Sequence, residues 1–409
     1  MCRIPPAKSK PRRISLVKLD RKKRSHSVVD LQRNSGAIMG RKRRAGASAM
    51  EPFHHLPRRL SYEFPVGAVL LALAALTATT KISRADENGI SFWIPGFFGS
   101  LAAVPQQPGW SLATINYFTD VSGSGNIAVA REISIGQFNP ALNASLSANV
   151  HANVDLQMFI PTYVFATPFL GGQASASLLG LYGVNNTSLN ATFTGTLGPI
   201  PFTKAISLEQ TNGGVGDLIP QFAVKWNAGV NNYMTYLTGD IPVGYYNSSN
   251  LANVGLGHGA LDGGVGYTYF DPKTGHEFSV VTGLTGNFEN PSTNYTSGVD
   301  WHLDWGASQF LTKQVQVGLV GYVYDQVTPD HGCAPIICPF ESRVIGIGPQ
   351  IGYIFPVAGM QGYINLKAYG EFDNANRPDG WNVWLTFVLS PAAPEAAPPA
   401  MVTKAPPRS

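Results

Sequence analysis

The feature that most constrains this chain is a two-residue alternation of apolar and polar side chains, repeated in segment after segment. Successive side chains of a β-strand point to opposite faces, so each such segment reads as a strand with one apolar and one polar face. Val315, Val317, Leu319, Gly321 and Val323 share one face, and Gln314, Gln316, Gly318, Tyr322 and Gln326 the other, with Val320 as the exception. Ile364, Leu366, Ala368 and Phe372 alternate with Asn365, Lys367, Tyr369 and Glu371. Val299, Trp301, Leu303, Trp305 and Ala307 alternate with Asp300, His302, Asp304 and Ser308. Trp381, Val383, Leu385, Phe387 and Leu389 alternate with Asn382, Trp384, Thr386 and Ser390. Leu142, Ala144, Leu146, Ala148 and Val150 do the same with Asn143, Ser145, Ser147, Asn149 and His151. No run of 18 apolar residues exists, which excludes a helical membrane span.

A soluble β-sandwich also alternates, but its polar face meets bulk water and carries many Lys and Glu. Charged residues are only 13% here, about half the usual share of roughly 25%, while hydrophobic residues hold at 44%. The polar faces are built from Asn, Gln, Ser, Thr, Tyr and Gly. Trp110, Trp226, Trp301, Trp381 and Trp384 fall at or near strand ends. Apolar-out, polar-in strands with aromatic residues towards their ends are what a transmembrane antiparallel β-barrel requires. The segments are 109–119, 141–152, 154–166, 171–183, 188–196, 217–227, 231–241, 262–271, 275–287, 297–309, 312–326, 342–355, 360–373 and 380–389. That gives 14 strands, with 12 as the alternative even number. The barrel is expected over 109–390.

Charge divides the chain. Residues 1–60 carry 17 Lys and Arg against 3 Asp and Glu, whereas residues 86–409 carry 10 against 21. Between them, Arg58 and Arg59 precede an apolar stretch from Phe64 to Thr80, followed by Ser83-Arg84-Ala85. A basic region, a short apolar core and small residues at the −3 and −1 positions describe a secretory signal peptide with cleavage after Ala85. Residues 50–85 are therefore expected to be the signal peptide, with Met50 as the start. Residues 1–49 form a basic leader without interleaved aromatics, and no nucleic acid is expected as a partner. Residues 86–108 are expected to be a plug in the lumen or a periplasmic arm. Residues 391–409, rich in Pro and Ala, are expected to be a disordered tail. Cys333 and Cys338, in a loop-like stretch of an exported chain, are expected to form a local disulfide rather than a metal site.

Several short stretches together resemble the meta-pathway phenol-degradation family over roughly 91–390. They include Trp93-Ile94-Pro95-Gly96, Pro105 to Trp110, Asp155-Leu156-Gln157 and Pro161-Thr162-Tyr163. Gly216-Asp217-Leu218, Asp240 to Tyr245, Asn290 to Tyr295 with Ser297-Gly298, Val317-Gly318 with Gly321-Tyr322, and Gly348 to Tyr353 complete the set. The family's proline-threonine-glycine turn reads Pro242-Val243-Gly244 here, and the last strand runs on past Phe387 into Val388 and Leu389. The resemblance implies an outer-membrane barrel that passes hydrophobic or aromatic compounds, and it brings no catalytic or ligand set with it.

No Gly-x-Ser-x-Gly elbow and no His-Glu-x-x-His motif occurs, so no enzyme, cofactor or metal is expected. The suggestive group is Asp300, His302 and Asp304 on the polar face of one strand, joined by Lys225, Lys367 and Glu371 as candidates for a permeant path. The expected function is passive uptake of small hydrophobic or aromatic solutes across the bacterial outer membrane. The expected partners are outer-membrane lipid, lipopolysaccharide and the barrel-assembly machinery. Two alternatives stay open: a non-conducting structural or adhesive barrel, and a secreted β-sandwich that binds carbohydrate or protein.

Overall fold

The computed structural model describes residues 91–124, 144–197, 200–332 and 341–393. The leader, the signal segment, Cys333, Cys338 and the tail from residue 394 lie outside the described residues. Twelve strands form one closed antiparallel barrel in sequence order. They are β1 (Gly109–Ser124), β2 (Ala144–Val164), β3 (Gln173–Leu197), β4 (Ile200–Ala228), β5 (Asn231–Asp240) and β6 (Ala260–Asp271). The second half comprises β7 (His276–Asn287), β8 (Asp300–Phe310), β9 (Val315–Gln326), β10 (Arg343–Val357), β11 (Met360–Ala375) and β12 (Asp379–Pro391). The ring closes where β1 pairs β12, from Leu112 opposite Leu389 to Ser122 opposite Asp379. Closure of this kind rules out the β-sandwich alternative.

Short connections, such as 229–230 between β4 and β5 and 358–359 between β10 and β11, gather at one end of the barrel. The start of β1 and the end of β12 lie at that end too. The longer loops 241–259 and 288–299 lie at the other, with the described residues 327–332 and 341–342 that flank β9 and β10. At the short-turn end aromatic pairs lie on the outer surface: Trp110–Tyr163 at 5.2 Å, Tyr233–Tyr267 at 5.6 Å and Tyr353–Phe355 at 5.6 Å between centroids. Phe118 and Trp381, at 5.3 Å, face each other near the opposite end. Between these levels Leu237, Val265, Leu284, Leu319, Ile351 and Leu366 point outward and are exposed in the isolated chain. This apolar belt between aromatic levels is the exterior that a lipid-embedded barrel presents.

Several sequence expectations are corrected. Segments 141–152 and 154–166 are one strand, β2, and segments 171–183 and 188–196 are one strand, β3, which reduces 14 to 12. The segment 217–227 is only the second half of β4. Beyond the belt the sense of the alternation reverses. Ala148, Val150, Leu189, Ala191 and Phe193 pack inside, with Leu251 of the 241–259 loop, while Asn149, His151 and Asn190 face out. From Ala148 to Ala152 the face read as apolar is thus an interior face. Trp384 is no rim residue: it is fully buried, 4.6 Å from the Tyr117 ring. Pro391 belongs to β12 rather than to the tail.

The belt and the extension make opposite predictions for the same substitution. Leu319→Arg, on the outer face of β9 and 52% exposed, should destabilise the barrel by roughly 2–4 kcal/mol in lipid. Asn186→Arg, on the outer face of β3 beyond the belt, should change stability by less than about 0.5 kcal/mol. Urea unfolding in lipid vesicles measures both, and equal effects would remove the assigned membrane level.

Candidate functional site

The site is built around the stretch from Ser91 to Pro108, which pairs with no strand and so must satisfy its backbone groups elsewhere. It does so on side chains from around the ring, which places it inside the barrel. A first turn is closed by Phe97 N donating to Ile94 O at 3.2 Å. Gly96 sits there at φ +89°, and a Cβ on it would lie 3.1 Å from the Tyr369 ring and 3.2 Å from that of Tyr322. Only glycine meets both the conformation and the space. Asp304 of β8 holds this turn by its donors: Gly96 N reaches Oδ1 at 2.9 Å and Phe98 N reaches Oδ2 at 3.0 Å. Lys367 of β11 holds it by its acceptors, with Nζ donating to Gly96 O at 2.7 Å and to Phe98 O at 3.3 Å. The same ammonium lies 5.0 Å from the centroid of the Trp384 ring.

A second turn, Leu101 to Val104, is held the same way. Leu101 N donates to Glu277 Oε1 and Ser279 Oγ of β7, both at 3.0 Å, and Ala103 N donates to Thr268 Oγ1 of β6 at 3.0 Å. The Ser279 hydroxyl in turn donates to Glu277 Oε1. Gln350 Nε2 of β10 donates to Ser100 Oγ at 2.6 Å. Nearer the short-turn end Lys225 Nζ of β4 donates to Val104 O at 3.3 Å, and Gln106 N donates to Gln173 Oε1 of β3 at 2.7 Å.

The six candidates from the polar faces all bond within the barrel, but they do not form one ring. Asp304 and Lys367 meet across the segment, on the two poles of the same turn. His302 lies under Trp93, the rings stacked at 3.6 Å, with Nε2 2.9 Å from Asp262 Oδ2 and 3.4 Å from the Tyr236 hydroxyl. Asp300 accepts from Asn287 Nδ2 at 2.9 Å, closer to the long-loop end. Glu371 accepts from the Tyr322 hydroxyl at 2.6 Å and from Gly380 N at 3.0 Å. Lys225 stands apart, close to the short turns. Asp262, Tyr236 and Glu277 escaped sequence reasoning, although each lies on the inward face of a strand whose other face carries Leu261 and Val265, Leu237, or Phe278.

Pinning is one-sided. The bonds fall mainly on β6 to β8, β10 and β11, and against β1 to β5 the segment leaves a cavity of about 280 Å³. Phe92, Phe97 and Phe98 form one wall, and Ile160, Leu179, Ile219, Ala223 and Met234 the other. Towards the long loops a smaller chamber of about 50 Å³ follows, with Phe92, Ile94 and Ile219 common to both.

Charge-assisted hydrogen bonds are each worth about 1.5–3 kcal/mol. Asp304→Ala should therefore leave the barrel folded and raise hydrogen exchange at the Gly96 and Phe98 amides by roughly 10- to 100-fold. Adding Lys367→Ala should cost less than it does alone, because both act on one turn. Unchanged exchange in Asp304→Ala would show that the turn does not depend on this carboxylate.

The model of the family described as "Putative MetA-pathway of phenol degradation" matches residues 108–387. No curated protein matches the chain. Among solved structures, the COG4313 outer membrane channel from Pseudomonas putida F1 is 12% identical, with 70% of this chain and 96% of that one covered and a TM-score of 0.47. The translocator domain of the autotransporter NalP from Neisseria meningitidis is 10% identical, with 70% and 90% covered and a TM-score of 0.31. OccK7 (OpdD) from Pseudomonas aeruginosa is 9% identical, with 69% and 98% covered and a TM-score of 0.25. The family match takes in β1 to β11 and most of β12, and on it the chain belongs to the MetA-pathway phenol-degradation family.

Proposed function

We propose that the protein is an outer-membrane channel for passive uptake of small hydrophobic or aromatic compounds, with the short turns towards the periplasm. The observation that carries this reading is the cavity of about 280 Å³ between the pinned segment and the β1 to β5 wall. A cavity of roughly 150 Å³ lined by Leu, Ile and Phe already accepts benzene. Phe92, Phe97 and Phe98 offer ring faces and edges to an aromatic solute, while Ile160, Leu179 and Met234 supply apolar contact without directional bonds. Such contacts are weak one by one, so a solute is taken from water and released again. Thr162, Ser175, Ser177, Gln221 and Thr238 line the cavity as well and can take up a single polar group of the solute. The segment acts as a fixed insert that narrows the lumen to one apolar slot. Outer-membrane lipid, lipopolysaccharide and the barrel-assembly machinery are the partners that this location entails, and no catalytic role is assigned.

The test is uptake of labelled toluene and of glucose by proteoliposomes whose outer leaflet is lipopolysaccharide. Toluene should enter well above the protein-free rate and glucose should not. Ala223→Trp, which fills the slot from β4, should lower toluene entry at least about tenfold while the barrel keeps its folded migration in gels. A protein that inserts but passes neither solute would instead be the non-conducting barrel.

A further inference from the structure

The small chamber on the long-loop side contains an unanswered carboxylate. It is lined by Phe92, Ile94, Leu156, Leu181 and Val254 among apolar groups, and by Ser91, Asn185, Asp217, Asp240 and Asn253 among polar ones. Four of these five polar side chains are used within the protein. Ser91 Oγ donates to Trp93 O at 2.7 Å. Asn185 donates to Asn253 O at 2.9 Å and accepts from the Thr187 hydroxyl at 2.7 Å. Asn253 Oδ1 accepts from Asn247 N at 3.0 Å. Asp217 accepts from Gly244 N and Leu256 N, both at 2.7 Å, and so ties the 241–259 loop over the chamber. Asp240, at the end of β5, is 7% exposed, and neither of its carboxylate oxygens has a hydrogen-bond partner. Burying a carboxylate without a donor is costly, and the cost is recovered when a donor arrives.

We propose that Asp240 is a specificity-determining residue that accepts the O–H or N–H of an otherwise apolar permeant on its way to the larger cavity. The inference rests on the channel reading above. The register of β4 and β5 orders the path. Asp240 lies beyond the Gln221–Thr238 pair towards the long loops, and Lys225 lies opposite Met234 towards the short turns. A solute entering from the loop side therefore meets Asp240 and Asp217 first, then the Phe92–Ile94–Ile219 narrowing, then the aromatic slot. A hydroxyl or amine head group fits the chamber of about 50 Å³ while its ring faces the narrowing. A carboxylate-bearing solute would have to leave its water for a chamber that already holds the carboxyl groups of Asp217 and Asp240, and is turned away.

The experiment compares phenol, its methyl ether anisole and benzoate in the lipopolysaccharide proteoliposomes, using the full chain. In the unaltered protein phenol should enter roughly tenfold faster than anisole, and benzoate should be slowest. Asp240→Leu should bring the phenol-to-anisole ratio near one, and the folded migration of the variant in gels shows independently that the barrel is intact. Asp240→Asn, which keeps an acceptor of the same size, should retain the preference for phenol. A ratio near one in the unaltered protein, as if the chamber held only water, would overturn the proposal, and so would a ratio that survives Asp240→Leu. If neither phenol nor anisole enters, the channel reading itself fails.

Discussion

Hydrocarbon supplies no hydrogen bonds, and every other feature of this protein follows from that. A strand in lipid must have both edges paired, so β1 has to meet β12, and the ring has no free edge among the described residues. The same demand applies indoors. The stretch from Ser91 to Pro108 has no ladder of its own, and Asp304, Lys367, Glu277, Ser279, Thr268 and Gln173 stand in for one. Asp304 and Lys367 illustrate the division of labour, with the carboxylate taking the amides of the Gly96 turn and the ammonium taking its carbonyls. Asp304, Lys367, Glu277 and Glu371 survive inside because each is spent on the backbone of this insert or on a neighbouring polar group, which Asp240 is not.

Much of the barrel was legible because lipid and lumen impose opposite preferences on alternate residues. The faces read for β8, β9, β11 and β12 are the faces found, down to Val320 as an apolar residue turned inward. The reading failed where the strands leave the lipid. In β3, Leu178, Tyr182 and Val184 face out and Ser175 and Ser177 face in; higher up, Leu189 and Phe193 face in and Asn186 and Asn190 face out. The strand is continuous, but the phase of its pattern inverts near Asn185, and one strand reads as two. In β2 the inner face stays apolar through Val150, Val154, Leu156 and Met158, and the outer face turns aromatic only from Phe159. The first half of β4 fell between the segments read as 188–196 and 217–227, although this length pairs with β3.

The site was half legible. Asp300, His302 and Asp304 announce themselves as polar residues on a strand with an apolar back. Their partners do not, since a single sequence carries no register between β5, β6 and β8 and cannot bring Asp262 or Tyr236 to His302. Nor does 91–108 carry any periodicity from which its bonds to the wall follow. Asp240 is the hardest case: it falls at the end of the segment read as 231–241, just before the Pro242-Val243-Gly244 turn, and only the fold brings it to the chamber.

The insert runs straight into β1, and β1 is the strand that seals the barrel against β12. This contiguity bears on the order of assembly. The hydrogen-bonding partners of 91–108 are spread over β3, β4, β6, β7, β8, β10 and β11, so the segment can gain them only once those strands are side by side. Threading it through a finished ring would drag polar backbone past the aromatic slot. The economical sequence is for the sheet to curl around the segment and for the seam to close last, so that the strand completing the wall also draws its contents into place.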